Sequence, residues 1–320
     1  MDIENNVVVI IPTYNESKNI SILLDLLVNL SIDILIVDDN SPDGTARIVQ
    51  NFSDNHKSIN LIERPKKLGL GSAYRDGFKW ALEQGYKHCI EMDGDFSHTI
   101  VDLQNLIKFK DEFDLVIGSR YIKGGKTEGW SNGRKLLSMT ANKTAKILLG
   151  TKVNDMTSGF RIYSKECLED INYFSTTSNG YSFQIEMTYL SYLKNKSIKE
   201  IPITFHERNL GDSKMSKAIV FEAIKYLIFS RFKFLRTDDI PIVLYFIAFF
   251  IFENKKNVLS KVRKFLPITL FTSYLLIQNL ALSRGEVNTE IFRYFFYFLI
   301  FIHLSQIIQE NHYLKNIPLY

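Results

Sequence analysis

The segment Cys89-Ile-Glu-Met-Asp-Gly-Asp-Phe-Ser-His98 holds the residues best suited to chemistry. A short apolar run ends there in Asp93 and Asp95, one residue apart. A strand that ends this way carries both carboxylates at its C-terminal tip, where α/β sheets place their ligands. Two hard oxygen donors suit Mg²⁺ or Mn²⁺, ions commonly shared with substrate phosphates. Such an ion neutralises a departing diphosphate. The pattern therefore reads as a site for transfer from a diphosphate-activated donor, as in nucleotide-sugar chemistry. Gly118-Ser-Arg120 follows and adds a cation. Taken alone, Asp-Gly-Asp could equally be a turn, so the neighbouring motifs decide.

Two of them precede it. Pro12-Thr-Tyr-Asn-Glu16 closes the first apolar run. Pro12 stops the strand, Tyr14 can stack on a base, and Glu16 can accept hydrogen bonds from base or ribose. Asp38-Asp39-Asn-Ser-Pro-Asp-Gly-Thr45 closes the second run. A carboxylate at that tip can hold a base edge or ribose hydroxyls. One acidic tip could be only a helix cap. Two such tips followed by Asp93-x-Asp95 fit capping poorly.

The elements that position these residues follow from hydrophobic period. Val7–Ile11 is a β-branched run, read as a buried strand. Residues 17–30 place Ile20, Leu23, Leu24 and Leu27 at helical spacing. Further strands are expected at 32–37, 60–63, 87–92 and 115–117, with helices at 45–52, 71–84 and 101–110 between them. In the 71–84 helix Ala73, Phe78, Ala81 and Leu82 should face inward. Strands alternating with helices predict an α/β, mainly parallel, doubly wound sheet with helices on both faces.

Composition divides the 320 residues in two. Residues 1–216 read as one catalytic domain. Residues 240–320 are dominated by Phe, Ile, Leu and Tyr. A net charge of +4 is too mild to argue for nucleic acid. The two cysteines, Cys89 and Cys167, give neither a disulfide framework nor a metal spacing, which fits a reducing compartment. No basic region precedes the short run 7–11, so no signal peptide is expected. Residues 217–236 place several lysines on one side of a helix that suits a bilayer interface, although an ordinary packed helix would read similarly. Residues 217–252 are read as interfacial or re-entrant, since 240–252 is too short to span. Residues 253–320 are expected to form a hairpin with spans near 265–283 and 291–308. Lys255, Lys256, Lys261, Arg263 and Lys264 put the intervening loop on the cytoplasmic face, together with the catalytic domain.

Read together, the motifs carry a resemblance. Those quoted above, with Gly69-Leu-Gly-Ser-Ala-Tyr74 and Gly118-Ser-Arg-Tyr121, resemble family 2 glycosyltransferases of the GT-A, Rossmann-like fold. Within that family they look like the dolichol-phosphate mannosyltransferases and their polyprenol-phosphate relatives. Gly129-Trp130, Arg134-Lys135, the run Asp155–Arg161, Gly180–Glu186 and Arg208–Lys214 extend the likeness over residues 7–216. The resemblance implies that Pro12, Tyr14, Glu16, Val37 and Asp39 hold the nucleotide. It implies that Asp93 and Asp95 hold metal and diphosphate, with Gly94 between them and Ser97 nearby. Arg120 would bind the sugar nucleotide, Arg208 and Lys214 would close over the diphosphate, and Arg134 with Ser138 would take a lipid phosphate. Mannosyl members more often carry alanine where Gly94 stands, so the sugar stays open.

The chemistry agrees with that expectation. A lipid phosphate is already an anion, so it needs no strong general base. Positioning and charge neutralisation would carry the rate, with inversion at the anomeric carbon. The expected activity is mannose transfer from GDP-mannose to a polyprenyl or dolichyl phosphate at the cell membrane, dependent on Mg²⁺ or Mn²⁺. UDP-glucose acting on undecaprenyl phosphate is the alternative donor and acceptor. A glycan hydroxyl acceptor would need a base, for which Asp155 is the residue to test. His98 reads as a supporting residue, and Trp130 as either packing or lipid contact. The expected partners are the nucleotide sugar, the lipid phosphate and the bilayer, with self-association left open.

Overall fold

The computed structural model describes residues 6–30 and 32–207. Arg208, Lys214, the interfacial segment and both candidate spans lie outside the described residues. Among those described, no helix is long and apolar enough to cross a membrane.

β1 (Val7–Thr13), β2 (Asp33–Asp38), β3 (Ile59–Glu63) and β4 (His88–Glu91) alternate with α1 (Ser17–Val28), α2 (Thr45–Asn55) and α3 (Leu70–Glu83). β1 and β2 are buried along nearly their whole length because helices cover both faces of the sheet. That is why they read as unbroken apolar runs. α4 (Ile100–Ile107) follows, capped by Thr99, whose hydroxyl accepts from the Asp102 N–H at 3.0 Å. β5 (Leu115–Ser119) completes the part foreseen from the sequence.

The remaining elements were not foreseen. They are β6 (Lys126–Glu128), α5 (Asn132–Leu149), β7 (Arg161–Ser164), α6 (Lys165–Asp170), α7 (Gly180–Leu193), β8 (Ile198–Pro202) and β9 (Thr204–His206). The main sheet has seven strands in the order β3-β2-β1-β4-β7-β5-β8. β7 runs antiparallel to both β4 and β5, while every other pairing is parallel. β6 and β9 form a separate parallel pair. One core layer joins α3 and α7 to a face of the sheet through Tyr74, Phe78, Tyr163 and Phe183. The other joins α1 and α4 to the opposite face through Ile20, Leu24, Leu103 and Leu106.

Candidate active site

The order β2-β1-β4 makes the three acidic or polar strand tips neighbours. The chain winds from β1 outward to β2 and β3, then returns to β4 on the other side of β1. Ligands bind at such a reversal in doubly wound sheets.

On the β2 side the two adjacent aspartates do different work. Asp38 is fully buried and accepts from Thr13 Oγ1 at 2.7 Å, Ser41 N at 2.8 Å and Ser41 Oγ at 2.6 Å. It pins the tips of β1 and β2 together. Asp39 Oδ2 accepts the N–H groups of Leu68 at 3.2 Å and Gly69 at 3.1 Å, and Oδ1 meets the Arg64 guanidinium. Arg64 also donates to Ser72 Oγ, Asp76 Oδ2 and Gly69 O. Arg64 was missed in the sequence. Its only signal was a short basic run, Arg64-Pro-Lys-Lys67, directly after β3. Glu16 is buried and accepts from Asn19 Nδ2 at 2.9 Å. Tyr14 is half-buried with Lys67 Nζ 3.8 Å from its ring centre. The Val37 side chain is fully buried, so any ligand contact there falls to the main chain. Pro12 lies at the end of β1, in register with Val37.

At the β4 tip the Asp93 side chain is one-third exposed, at 34%. Its Oδ2 lies 3.3 Å from His98 Nε2. His98 is buried, stacked on Phe160 at 4.5 Å and edge-on to Phe205 at 5.5 Å, so the ring is fixed from both sides. Asp95 Oδ1 accepts from the Ser97 N–H at 3.1 Å and from its hydroxyl, so Ser97 serves by orienting Asp95. A β-carbon on Gly94 would stand 3.3 Å from Ile11 Cγ2, a tight but adjustable fit for alanine. A β-carbon on Gly159 would stand 3.8 Å from both Asp93 carboxylate oxygens, so the glycine keeps the surroundings of Asp93 open.

Beneath Asp93 lies Glu91, fully buried, facing Arg161 across the β4–β7 ladder. Burial pushes its carboxyl up to about 8; Arg161 and the nearby Gln184 amide oppose this, and Asp93 adds to it. By geometry neither Glu91 oxygen has a hydrogen-bond partner, and neither do the Gln184 amide atoms. Arg161 donates instead to Ser158 O, Met156 O, Gln184 O, Tyr163 OH and Thr188 Oγ1.

Arg120, at the tip of β5, forms a two-pronged ion pair with Asp155. Nε reaches Oδ2 at 2.8 Å and an Nη reaches Oδ1 at 2.7 Å, while the Arg120 N–H also donates to Oδ2 at 2.9 Å. Burial alone would raise the Asp155 carboxyl, yet the Arg120 charge and hydrogen bonds hold it below its ordinary value of 3.8. Thr157 Oγ1 accepts a further bond from Arg120 at 2.8 Å. The guanidinium also lies over Tyr121, Trp130 and Phe205 at 5.2–5.6 Å.

Arg134 opens α5 and sits 4.2 Å from the Trp130 ring centre, while Nη1 donates to Glu207 Oε1 at 2.6 Å. Trp130 is buried between the two arginines and Phe205, so it packs. Ser138, one turn along α5, accepts from Tyr121 OH at 2.6 Å. Gly129 is held at φ +81°, and a β-carbon there would meet Glu207 Cβ at 2.7 Å, which explains the glycine. The contacts Asp93–His98–Phe205–Trp130–Arg134 run continuously from the β4 tip to the start of α5. Pro12, Tyr14, Glu16, Val37 and Asp39 line the adjacent β1 and β2 tips.

Comparisons with known proteins bear on the family and the fold. Residues 8–171 match the family described as glycosyl transferase family 2. An undecaprenyl-phosphate mannosyltransferase from Micrococcus luteus is 42% identical over 220 residues, covering 68% of this chain and 90% of that protein. A polyprenol monophosphomannose synthase from Mycolicibacterium smegmatis is also 42% identical over 220 residues, covering 83% of its own length. Among solved structures, glucosyl-3-phosphoglycerate synthase from Mycobacterium tuberculosis, in complex with Mn²⁺, UDP-glucose and glycerol 3-phosphate, superposes with a TM-score of 0.54. It is 17% identical and covers 72% of this chain and 82% of that one, a likeness of fold.

Proposed function

This chain belongs to glycosyl transferase family 2 and has a GT-A-like α/β fold; from that premise we propose that it moves mannose from GDP-mannose onto a polyprenyl phosphate. The observation that carries this reading is the 42% identity over 220 residues to two polyprenol-phosphate mannosyl enzymes.

The site chemistry supports it. Pro12, Tyr14, Glu16, the Val37 main chain and Asp39 would bind the nucleotide along the β1 and β2 tips. Asp93 and Asp95 fit a divalent cation as hard oxygen donors. Among the described residues no group of three or more His, Cys, Asp or Glu forms a cage of its own, which suits an ion that shares the donor's phosphates. When bound, Mg²⁺ or Mn²⁺ would offset the charge of the leaving diphosphate. Gly94 and Ser97 shape and hold that tip. Arg120 is buried against Asp155 and would act as a fixed positive wall beside the sugar nucleotide. Arg134 and Ser138 would receive the acceptor phosphate. Arg208 and Lys214, outside the described residues, would add cations at the diphosphate. The acceptor oxygen attacks as an anion, and no buried base is required. Asp155 is already committed to Arg120, which disfavours the glycan-hydroxyl alternative. The lipid acceptor also implies attachment to the cell membrane, with residues 217–320 as the anchor and the catalytic domain on the cytoplasmic face.

The test is transfer by the purified full chain in detergent, with polyprenyl phosphate and Mg²⁺ or Mn²⁺. Labelled GDP-mannose and UDP-glucose are supplied in parallel, and label is counted in the lipid phase. The expected result is lipid label from GDP-mannose only, abolished by EDTA and strongly reduced in Asp95→Asn. Label from UDP-glucose alone would replace the donor. An Asp95→Asn protein with full turnover would remove the metal assignment.

A further inference from the structure

α5 shows large apolar side chains on its outer side as well as its inner one. Its inner side carries Asn142, Ala145 and Leu149. Asn142 is occupied there by Ser138 O, Thr157 Oγ1 and the Met156 N–H. Its outer side shows Leu136, Leu137, Met139 and Ile147, which are 67%, 58%, 53% and 66% exposed. Leu136, Thr140, Lys143 and Ile147 follow one another along a single stripe at helical spacing, with Leu137 and Met139 on either side of it. A helix that only packed on a core would bury such residues and show polar ones. One exposed leucine means little, but large apolar side chains gathered on one face mark a contact surface.

Charge identifies what the surface meets. α5 contains Arg134, Lys135, Lys143 and Lys146 and no acidic residue, so four cations and no anions give it +4. Lys143 is exposed, and Lys146 bonds the neutral Asn154 amide oxygen at 2.7 Å. Apolar side chains flanked by lysines match an anionic lipid surface, where the apolar groups enter the interface and the cations meet lipid phosphates.

We propose that the outer face of α5 lies on an anionic bilayer surface, with Leu136, Leu137 and Ile147 in the interfacial layer and Lys143 at the lipid phosphates. The inference rests on the lipid acceptor proposed above. Arg134 and Ser138 belong to this same helix, on the side of Asn142, so docking would bring the acceptor site close to the headgroup layer without placing it in the contact face itself. α5 would then be a second membrane contact, within the catalytic domain itself.

The full chain tests this in vesicles containing phosphatidylglycerol. Leu137→Cys and Ile147→Cys are labelled with an environment-sensitive fluorophore, with Gln50→Cys on α2 as the reference. The native Cys89 and Cys167 are buried and stay unlabelled. Brominated lipid should quench positions 137 and 147 and spare position 50, while aqueous iodide does the reverse. Iodide reaching all three positions equally would overturn the proposal, because the face would be in water. Protection from both quenchers would overturn it too, because another part of this chain or a second copy would cover the face. A Leu136→Ser, Leu137→Ser, Ile147→Ser variant adds a functional readout. KM for long-chain polyprenyl phosphate in vesicles should rise about ten-fold, while turnover of a short, water-soluble isoprenyl phosphate stays unchanged. Equal loss on both acceptors would contradict docking. Quenching needs neither donor nor acceptor, so a failed transfer assay with lipid quenching intact would remove only the function reading.

Discussion

A carboxylate buried against a guanidinium is a poor proton acceptor, and Asp155 stands in that position opposite Arg120. Removing one partner of a buried pair leaves the other charge without compensation, at a cost of about 3–5 kcal/mol. Asp155→Ala should therefore lower the unfolding free energy by about that much at neutral pH, measured by urea titration. A catalytic base would behave differently, losing turnover with the unfolding midpoint unchanged. Because its folded pKa is depressed below 3.8, Asp155 contributes stability that is complete above the ordinary carboxylate range and is lost as pH falls through the lower folded value. The difference between wild type and Asp155→Ala should thus shrink in acid. Glu91 has the opposite sign. Its carboxyl ionises near 4.5 when unfolded and near 8 when folded, so between these values the native state holds the extra proton. Stability from this group falls as pH rises across that window. Glu91→Gln should be more stable than wild type at pH 8 in metal-free buffer and should lose that advantage by pH 4. A constant difference at both pH values would show that Glu91 is not held neutral. Asp93, Asp95 and Asp39 stood out as candidate site residues because each ends an apolar run. His98, five residues from Asp93, was read as a supporting residue, whereas Arg64 and Glu91 were not singled out, because their places beside Asp39 and Asp93 depend on how separate strands come together.

The elements of the first half were legible for a physical reason. Parallel strands covered on both faces must be apolar throughout, and the helices between them show a clear polar and apolar side. The second half breaks both conditions. β6 is three residues of Lys-Thr-Glu, too short for any period. β7 is buried yet begins with Arg161. α7 is buried at every position from Ser182 to Tyr189, so it has no polar side to reveal it. α5 carries large apolar residues outward as well as inward, which blurs the one-sided period used to find helices. Close packing between elements left a different trace, in glycine. Gly71 in α3 lies where a β-carbon would stand 2.6 Å from the Ser178 carbonyl and 3.0 Å from the Phe183 ring. The carbonyl is main chain leading into α7, so it cannot swing away as a side-chain end can. Gly71→Ala should push α3 and α7 apart and cost about 1–3 kcal/mol, the range for overpacked cores. Gly133→Ala, with nothing within 4 Å of the added carbon, is the matched control and should cost far less. Equal effects in thermal unfolding would mean that helix propensity, and not the α3–α7 approach, dominates at Gly71.

For the whole molecule, the proposed function sets a nucleotide-sugar site at the β2 and β4 tips against a lipid acceptor. A water-soluble donor and a bilayer-held polyprenyl phosphate would require one chain to serve both phases. The composition divides in a matching way, with charged residues concentrated before the Phe- and Ile-rich segments of 240–320. Those segments lie outside the described residues, so their placement rests on charge alone. Lys255, Lys256, Lys261, Arg263 and Lys264 fall within ten positions between two apolar runs. Short loops this basic stay on the cytoplasmic side. The proposed function would put the catalytic domain on that side as well. If both statements hold, the run 240–252 cannot cross, and the two longer runs must form an out-and-back hairpin. A single cysteine at Asn257 distinguishes the topologies. In sealed, right-side-out membranes an impermeant maleimide should fail to label Asn257→Cys until the membrane is opened with detergent. Cys89 and Cys167, both buried, should give little background. Labelling of intact membranes would place the basic loop outside and require 240–252 to span. The catalytic domain and the loop would then lie on opposite faces, and α5 would be left as the lipid contact on the catalytic side.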